Sequence, residues 1–259
     1  MGLLLLLFSL NAFASFEILQ VDNKFTASAA DIRAVLSSAA AQVIEFFPNR
    51  NIRVNVVHRD GGPIVYFEKG DNGAYNVGLS VEGNRWDQFS FQFSHELCHI
   101  VSNFENGKGD QYQWFEEVIG EMCSLFTLRR MAEVWKTTPP YPNWKDYSHS
   151  LSKYAEDRIQ SYPMPQGMSL FSFLEKIKLT LSNADWNRGN HITVASELLP
   201  LLEKNPSEIL AIQSLNDSDL LEQKSFTDFI AAWSRKNPQN NFVSKTQGLI
   251  YGNFKIAIK

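Results

Sequence analysis

The chain has 259 residues, 44% of them hydrophobic and 13% aromatic, which is enough for a substantial core and excludes a disordered chain. Its formal net charge of -4 and pI near 5.8 come without any long Lys/Arg cluster, which excludes the electrostatic footprint of a nucleic-acid binder. One large domain or two smaller ones fit this length.

The first ten residues form an apolar run, and Ala12-Phe13-Ala14 comes next with the small-x-small spacing of a cleavage site. Residues 1–14 therefore read as a secretory signal peptide, with an uncleaved short anchor as the alternative, and the expected location is exported, periplasmic or secreted. The run is too short to span a bilayer comfortably and no later stretch has the length to do so, so no stable membrane span is expected.

Alternation predicts a strand over 16–21. Ile32, Val35, Leu36, Ala39, Val43 and Phe47 at helical spacing predict a helix over 28–47, stopped at Pro48-Asn49. Strands over 52–58, 64–68 and 74–81 come next, separated by the turn sequences Asp60-Gly61-Gly62-Pro63 and Gly70-Asp71-Asn72-Gly73. Such short connections predict a small, largely antiparallel sheet.

The next helix is expected over 85–104. At 100° per residue its Trp86, Phe89, Phe93, Leu97 and Phe104 share one face, while Gln88, Gln92, His95 and His99 share the opposite one. The polar row includes the pattern His95-Glu96-Leu97-Cys98-His99. Positions i and i+4 lie about 40° apart on a helix, so both imidazoles can reach one Zn²⁺, and Glu96 beside them can take a proton from a water held there. A helix over 111–135 comes after it, capped by Asp110 with Gln113 three positions on. Its apolar arc runs through Phe115, Val118, Ile119, Met122 and Phe126. Glu117 and Glu121 border that arc, and Glu116 points elsewhere on the helical wheel. A turn over 103–110 lets this helix fold back and bring Glu117 towards the metal.

Cys98 and Cys123 are the only cysteines. Export permits a disulfide between them, and the reading adopted is two small buried side chains.

The pattern H-E-x-x-H followed on the next helix by Trp114-Phe115-Glu116-Glu117, a W-x-x-E, resembles the gluzincin clan of zinc metallopeptidases, thermolysin-like and aminopeptidase-like. The likeness covers mainly residues 86 to 126, with Val118 where that clan commonly has Gly and Gly120 where it has Ala. It implies His95, His99 and Glu117 as zinc ligands, Glu96 as general base, and Glu121 as a partner orienting a ligand imidazole or as the fallback ligand. It also implies an edge strand that pairs with the substrate, expected at 74–81 as the last strand before the helix. The clan's further oxyanion donor is a Tyr or His, for which Tyr147, His149, Tyr154 and His191 all stand open.

Thr137-Thr138-Pro139-Pro140-Tyr141-Pro142 is the best boundary, separating a zincin-like part over 15–136 from a helical C-terminal part over 137–259. Helices are expected over 144–160, 170–181, 191–203, 207–214 and 225–236, with Pro200 kinking or ending the third, and a last strand over 249–258. The expected fold class is α+β: a small mixed or antiparallel sheet, an active-site helix pair and a helical C-terminal part. The expected function is an exported zinc metallopeptidase acting on a peptide or protein substrate. The alternatives are a catalytically weak peptidase-like binding protein and a zinc hydrolase of a non-peptide bond.

Overall fold

The computed structural model describes residues 15–107, 111–181 and 187–252. The signal peptide expected over 1–14, the cap expected at Asp110 and most of the strand expected over 249–258 lie outside them. The chain is α+β, with strands β1 (Ser15–Val21), β2 (Asn51–His58), β3 (Ile64–Val65) and β4 (Tyr75–Leu79) and a crossover helix α1 (Ala29–Ile44). The helix pair α2 (Trp86–Val101) and α3 (Gln113–Trp135) comes next. After it come α4 (Tyr147–Ser161), α5 (Leu170–Leu181), α6 (Arg188–Lys204), α7 (Ser218–Leu221), α8 (Phe226–Lys236) and α9 (Asn241–Ile250).

The sheet is mixed, with order β1-β2-β4-β3. β1 runs parallel to β2 and β2 parallel to β4, and only β3 is antiparallel to its neighbour. This corrects the largely antiparallel sheet expected from the short turns. α1 carries the chain back to the starting end of the sheet, so β2 enters parallel to β1. Ser28 starts that helix by accepting a hydrogen bond from the Asp31 N–H at 3.1 Å. β2 buries Val54, Asn55 and Val56 in succession, the pattern of an inner strand, and takes a neighbour on each side. β4 fills the second place and displaces β3 to the rim. The strand expected at the edge is thus internal, and the two-residue β3 is the edge beside α2.

α2 sits at the centre of the molecule, against α1, α3, β3 and β4. Its aromatic face is buried as expected, with Phe89, Phe93 and Leu97 fully enclosed. Its polar face is enclosed as well: Gln92 accepts from the Ser80 N–H at 2.8 Å and donates to the Ser80 carbonyl at 3.0 Å, tying the helix to the end of β4. α3 is buried on several sides, packing on α2, α4 and α6, and Trp135 near its end donates to Ser38 Oγ of α1 at 2.8 Å. One continuous apolar core runs from the sheet through α2 and α3 into the C-terminal helices.

Cys98 of α2 and Cys123 of α3 form a disulfide with Cα atoms 6.4 Å apart, in place of the two unpaired side chains expected. In the C-terminal part α6 continues through Pro200 to Lys204, and the stretch Pro206–Ser214 is a 3-10 helix. α9 covers the start of the expected last strand; Asn240 caps it by accepting from the Val243 N–H, and Phe242, Thr246 and Leu249 bury one helical stripe.

The disulfide closes a loop across a sequence separation of 25. Replacing both cysteines with alanine is expected to lower the unfolding free energy by about 3 kcal/mol, read from urea denaturation; unchanged stability would show that the cross-link does not constrain the unfolded chain.

Candidate metal centre

α2 and α3 cross at His95 and Gly120. A Cβ built on Gly120 would lie 2.8–3.0 Å from three atoms of the His95 ring, closer than packed carbons come. The glycine that sits in a helix interior at some cost in propensity therefore lets the imidazole lie against the α3 backbone.

At this crossing the Glu117 carboxylate reaches both rings. Its Oε2 is 3.1 Å from His95 Nε2, and its Oε1 is 3.3 Å from His99 Nε2. One ligand atom from each of His95, His99 and Glu117 lies within 4.8 Å of the others. Two imidazole nitrogens and a carboxylate oxygen form a donor set suited to zinc, and a fourth coordination position facing the cavity is what a catalytic site needs. The second ring nitrogen of His99 is also held, since Nδ1 lies 3.0 Å from Glu116 Oε1. With Nδ1–H donating to that carboxylate, Nε2 is left as the ligand atom.

Glu116, expected to point away from the site, is instead buried and reaches His99, because it lies one helical turn before Gly120 on the stripe of α3 that meets α2. Glu121, expected to orient a ligand imidazole or to replace Glu117, contacts neither ring through a hydrogen bond. Its Oε1 accepts from Arg188 Nε at 2.6 Å, while Glu121 Oε2 and His95 Nδ1 are both buried without partners. Arg188 is the first residue of α6, where the positive end of the helix disfavours a cation, and the buried Glu121 offsets that cost.

Glu96 is 3% exposed and lines the same cavity as Val65 of β3. Burial pushes its carboxyl above the ordinary range, although the two imidazoles oppose this. Burial also works against charge on His95 and His99, but Glu117, with Glu116 beside His99, outweighs it and raises both. Burial would raise Glu117, yet the two imidazoles hold it well below the usual carboxylate range. The cluster thus binds protons at the positions facing Glu117, where a divalent cation would meet the same negative charge.

These groups open onto a cavity of about 390 Å³. Pro63, Val65 and Phe67 form its sheet side, and Arg188 and His191 of α6 face them. Of the four Tyr and His residues considered as further donors, only His191 lines this cavity. Tyr147 accepts from the Asp87 N–H at the far end of α2, Tyr154 packs on the Phe91 ring, and His149 is exposed. Burial lowers the His191 pKa, which favours its neutral form. Arg188 and the α2-facing role of Glu116 are not legible from the residue pattern that marks the candidate ligands. An interior helical glycine four residues after Glu116, and an arginine opening a helix, are the local signals that point to them.

Comparisons with protein-family models, with curated proteins and with solved structures find no match to this chain.

The pKa directions fix how metal-free stability depends on pH. Raised values at His95 and His99 give a stabilising contribution that is complete below their ordinary 6.5 and is lost as pH rises through the raised values. The depressed Glu117 contributes above its ordinary 4.5 and loses this as pH falls through its lowered value. Glu96, raised by burial, is a cost that develops as pH rises above 4.5. Thermal unfolding of the chelator-treated chain is therefore expected to show Tm falling from mildly acidic to alkaline pH. Glu96→Gln is expected to raise Tm at neutral pH; a lower Tm would mean that the buried carboxylate stabilises the site.

Proposed function

We propose that the chain is an exported zinc metallopeptidase of the gluzincin type, in which His95, His99 and Glu117 hold the metal and Glu96 is the general base. The observation that carries this reading is the convergence of His95 Nε2, His99 Nε2 and Glu117 at one point, with Glu96 in the same cavity wall. Bound zinc would supply a Lewis acid that polarises a scissile carbonyl and makes a water acidic enough to lose a proton near neutral pH.

Glu96 takes the proton from the attacking water as the C–O bond forms, and delivers it to the amide nitrogen as the C–N bond breaks. The products are a carboxylic acid and an amine. A carboxyl raised by burial is a stronger base than a solvated one, so the environment that costs stability favours this proton transfer. His191 and Arg188, across the cavity, supply hydrogen-bond donors for the charge that builds on the carbonyl oxygen. Their different holds matter: Arg188 is fixed through Nε by Glu121, and its terminal nitrogens extend beyond that bond.

A peptide substrate is favoured over other acyl compounds by β3. It is an edge of the sheet, and its Ile64 and Val65 line the cavity together with Glu96. An extended peptide can add to such an edge through main-chain hydrogen bonds whatever its side chains. Export is favoured by the apolar leader and by the Cys98–Cys123 disulfide, a bond that persists in oxidising compartments. Among the described residues no helix is long and apolar enough to cross a membrane.

Incubation with a diverse peptide pool followed by mass spectrometry tests the activity. Wild type is expected to cleave, and Glu96→Gln to bind zinc while losing at least about 100-fold in rate; equal cleavage by the two would reject Glu96 as the base. Zinc titration is expected to rank Glu117→Ala as far more damaging than Glu121→Ala, and the reverse ranking would move the third ligand one turn along α3.

A further inference from the structure

Behind His99 lies a hydrogen-bonded group that links the α2–α3 pair to the helical C-terminal part. Glu116 Oε1 accepts from three directions: it is 3.0 Å from His99 Nδ1, 2.8 Å from Ser102 Oγ and 3.0 Å from Asn216 Nδ2. Asn216 is 100 residues away from Glu116 in sequence and 4% exposed. Its amide also donates to the Ser102 carbonyl at 3.1 Å, at the C-terminal end of α2. The carbamoyl oxygen lies so close to Gly107 that a Cβ there would come within 2.2 Å of it. Nearby, Asn103 Nδ2 donates to the Gln213 carbonyl at 2.9 Å, so the connection between α2 and α3 is fastened to the segment that carries Asn216.

We propose that Asn216 is a positioning residue for the metal centre, fixing the Glu116 carboxylate and through it the direction in which His99 presents Nε2. This rests on the assignment of His95, His99 and Glu117 as metal ligands and extends it to a residue in the helical C-terminal part. The physical reason is geometric. A glutamate has three rotatable side-chain bonds, and a single bond to His99 would leave its carboxylate free to swing with the ring. Donors from Ser102 and Asn216 on the same oxygen remove that freedom, and both are buried, so water does not compete for the place.

Glu208, another buried polar group of the C-terminal part, serves the backbone. It accepts from the N–H groups of Asn241 and Phe242 at the start of α9, and Asn240 caps the same helix. Asn216 differs in ending on a side chain that contacts a ligand. Sequence pattern alone offers no sign of it, since an asparagine after a 3-10 helix reads as a turn residue.

Zinc affinity measured by chelator competition tests this with the full chain. Asn216→Ala is expected to weaken binding about 10- to 100-fold, with Asn216→Ser as the comparison if the alanine variant does not fold. Asn240→Ala, which removes a helix cap in the same part of the molecule, is expected to leave the affinity within about twofold of wild type. The double variant Asn216→Ala/Glu116→Gln is expected to bind no more weakly than the worse single variant, because both act on one chain of contacts. The visible spectrum of the cobalt-substituted protein is expected to change in Asn216→Ala and not in Asn240→Ala. Wild-type affinity in the Asn216 variants, or losses that multiply in the double variant, would overturn the positioning role while leaving the metal centre intact. Absence of zinc binding by the wild-type chain would overturn the metal assignment and this inference with it.

Discussion

The structure depends on one carboxylate placed between two imidazoles. Glu117 lies within 3.3 Å of both His95 and His99, with its side chain half-buried between the two buried rings. A carboxylate partly withdrawn from water favours a positive partner, and here two imidazoles are directed at it. The three side chains thus form a place that holds positive charge, either as protons on the rings or as a divalent cation. Every nearby structural device keeps this arrangement compact: the glycine that allows α3 to touch the His95 ring, the disulfide between the two helices, and the Glu116 contact behind His99.

This constraint accounts for the burial of α2. A helix that displayed its histidines to solvent would leave them mobile and hydrated. In this chain the aromatic face anchors α2 to the core, Gln92 fastens the polar face to the end of β4, and α3 covers the histidines. The cluster opens onto the cavity lined by β3 and by Arg188 and His191 of α6, so a molecule entering that cavity meets a main-chain edge and two hydrogen-bonding side chains. The polar groups lining it differ in charge for physical reasons. Arg188 is compensated by Glu121, whereas burial works against charge on Glu96 and His191.

The C-terminal helices contribute more than a lid over α3. α6 delivers Arg188 and His191 to the cavity, and the segment after the 3-10 helix delivers Asn216 to the far side of His99. The two sides of the centre are therefore built from distant parts of the chain. An apolar core continuous across the molecule holds their separation.

The sequence by itself determined the features that short-range periodicity dictates. The i, i+4 spacing fixes His95 and His99 on one side of α2, Ser28 marks the start of α1, and alternation with turn residues places the strands. Glu117 was also legible, through its place after Trp114 on the succeeding helix. Tertiary structure decided whatever depends on which segments meet. Short turns suggested antiparallel neighbours, but the burial needs of β2 placed β4 beside it and sent β3 to the edge. A helical wheel set Glu116 apart from Glu117, yet the crossing at Gly120 turned both towards α2. The pairing of Cys98 with Cys123, the Glu121–Arg188 contact and the reach of Asn216 across 100 residues share the same cause. Local pattern specifies the direction of a side chain relative to its own helix, and only packing specifies what stands in that direction.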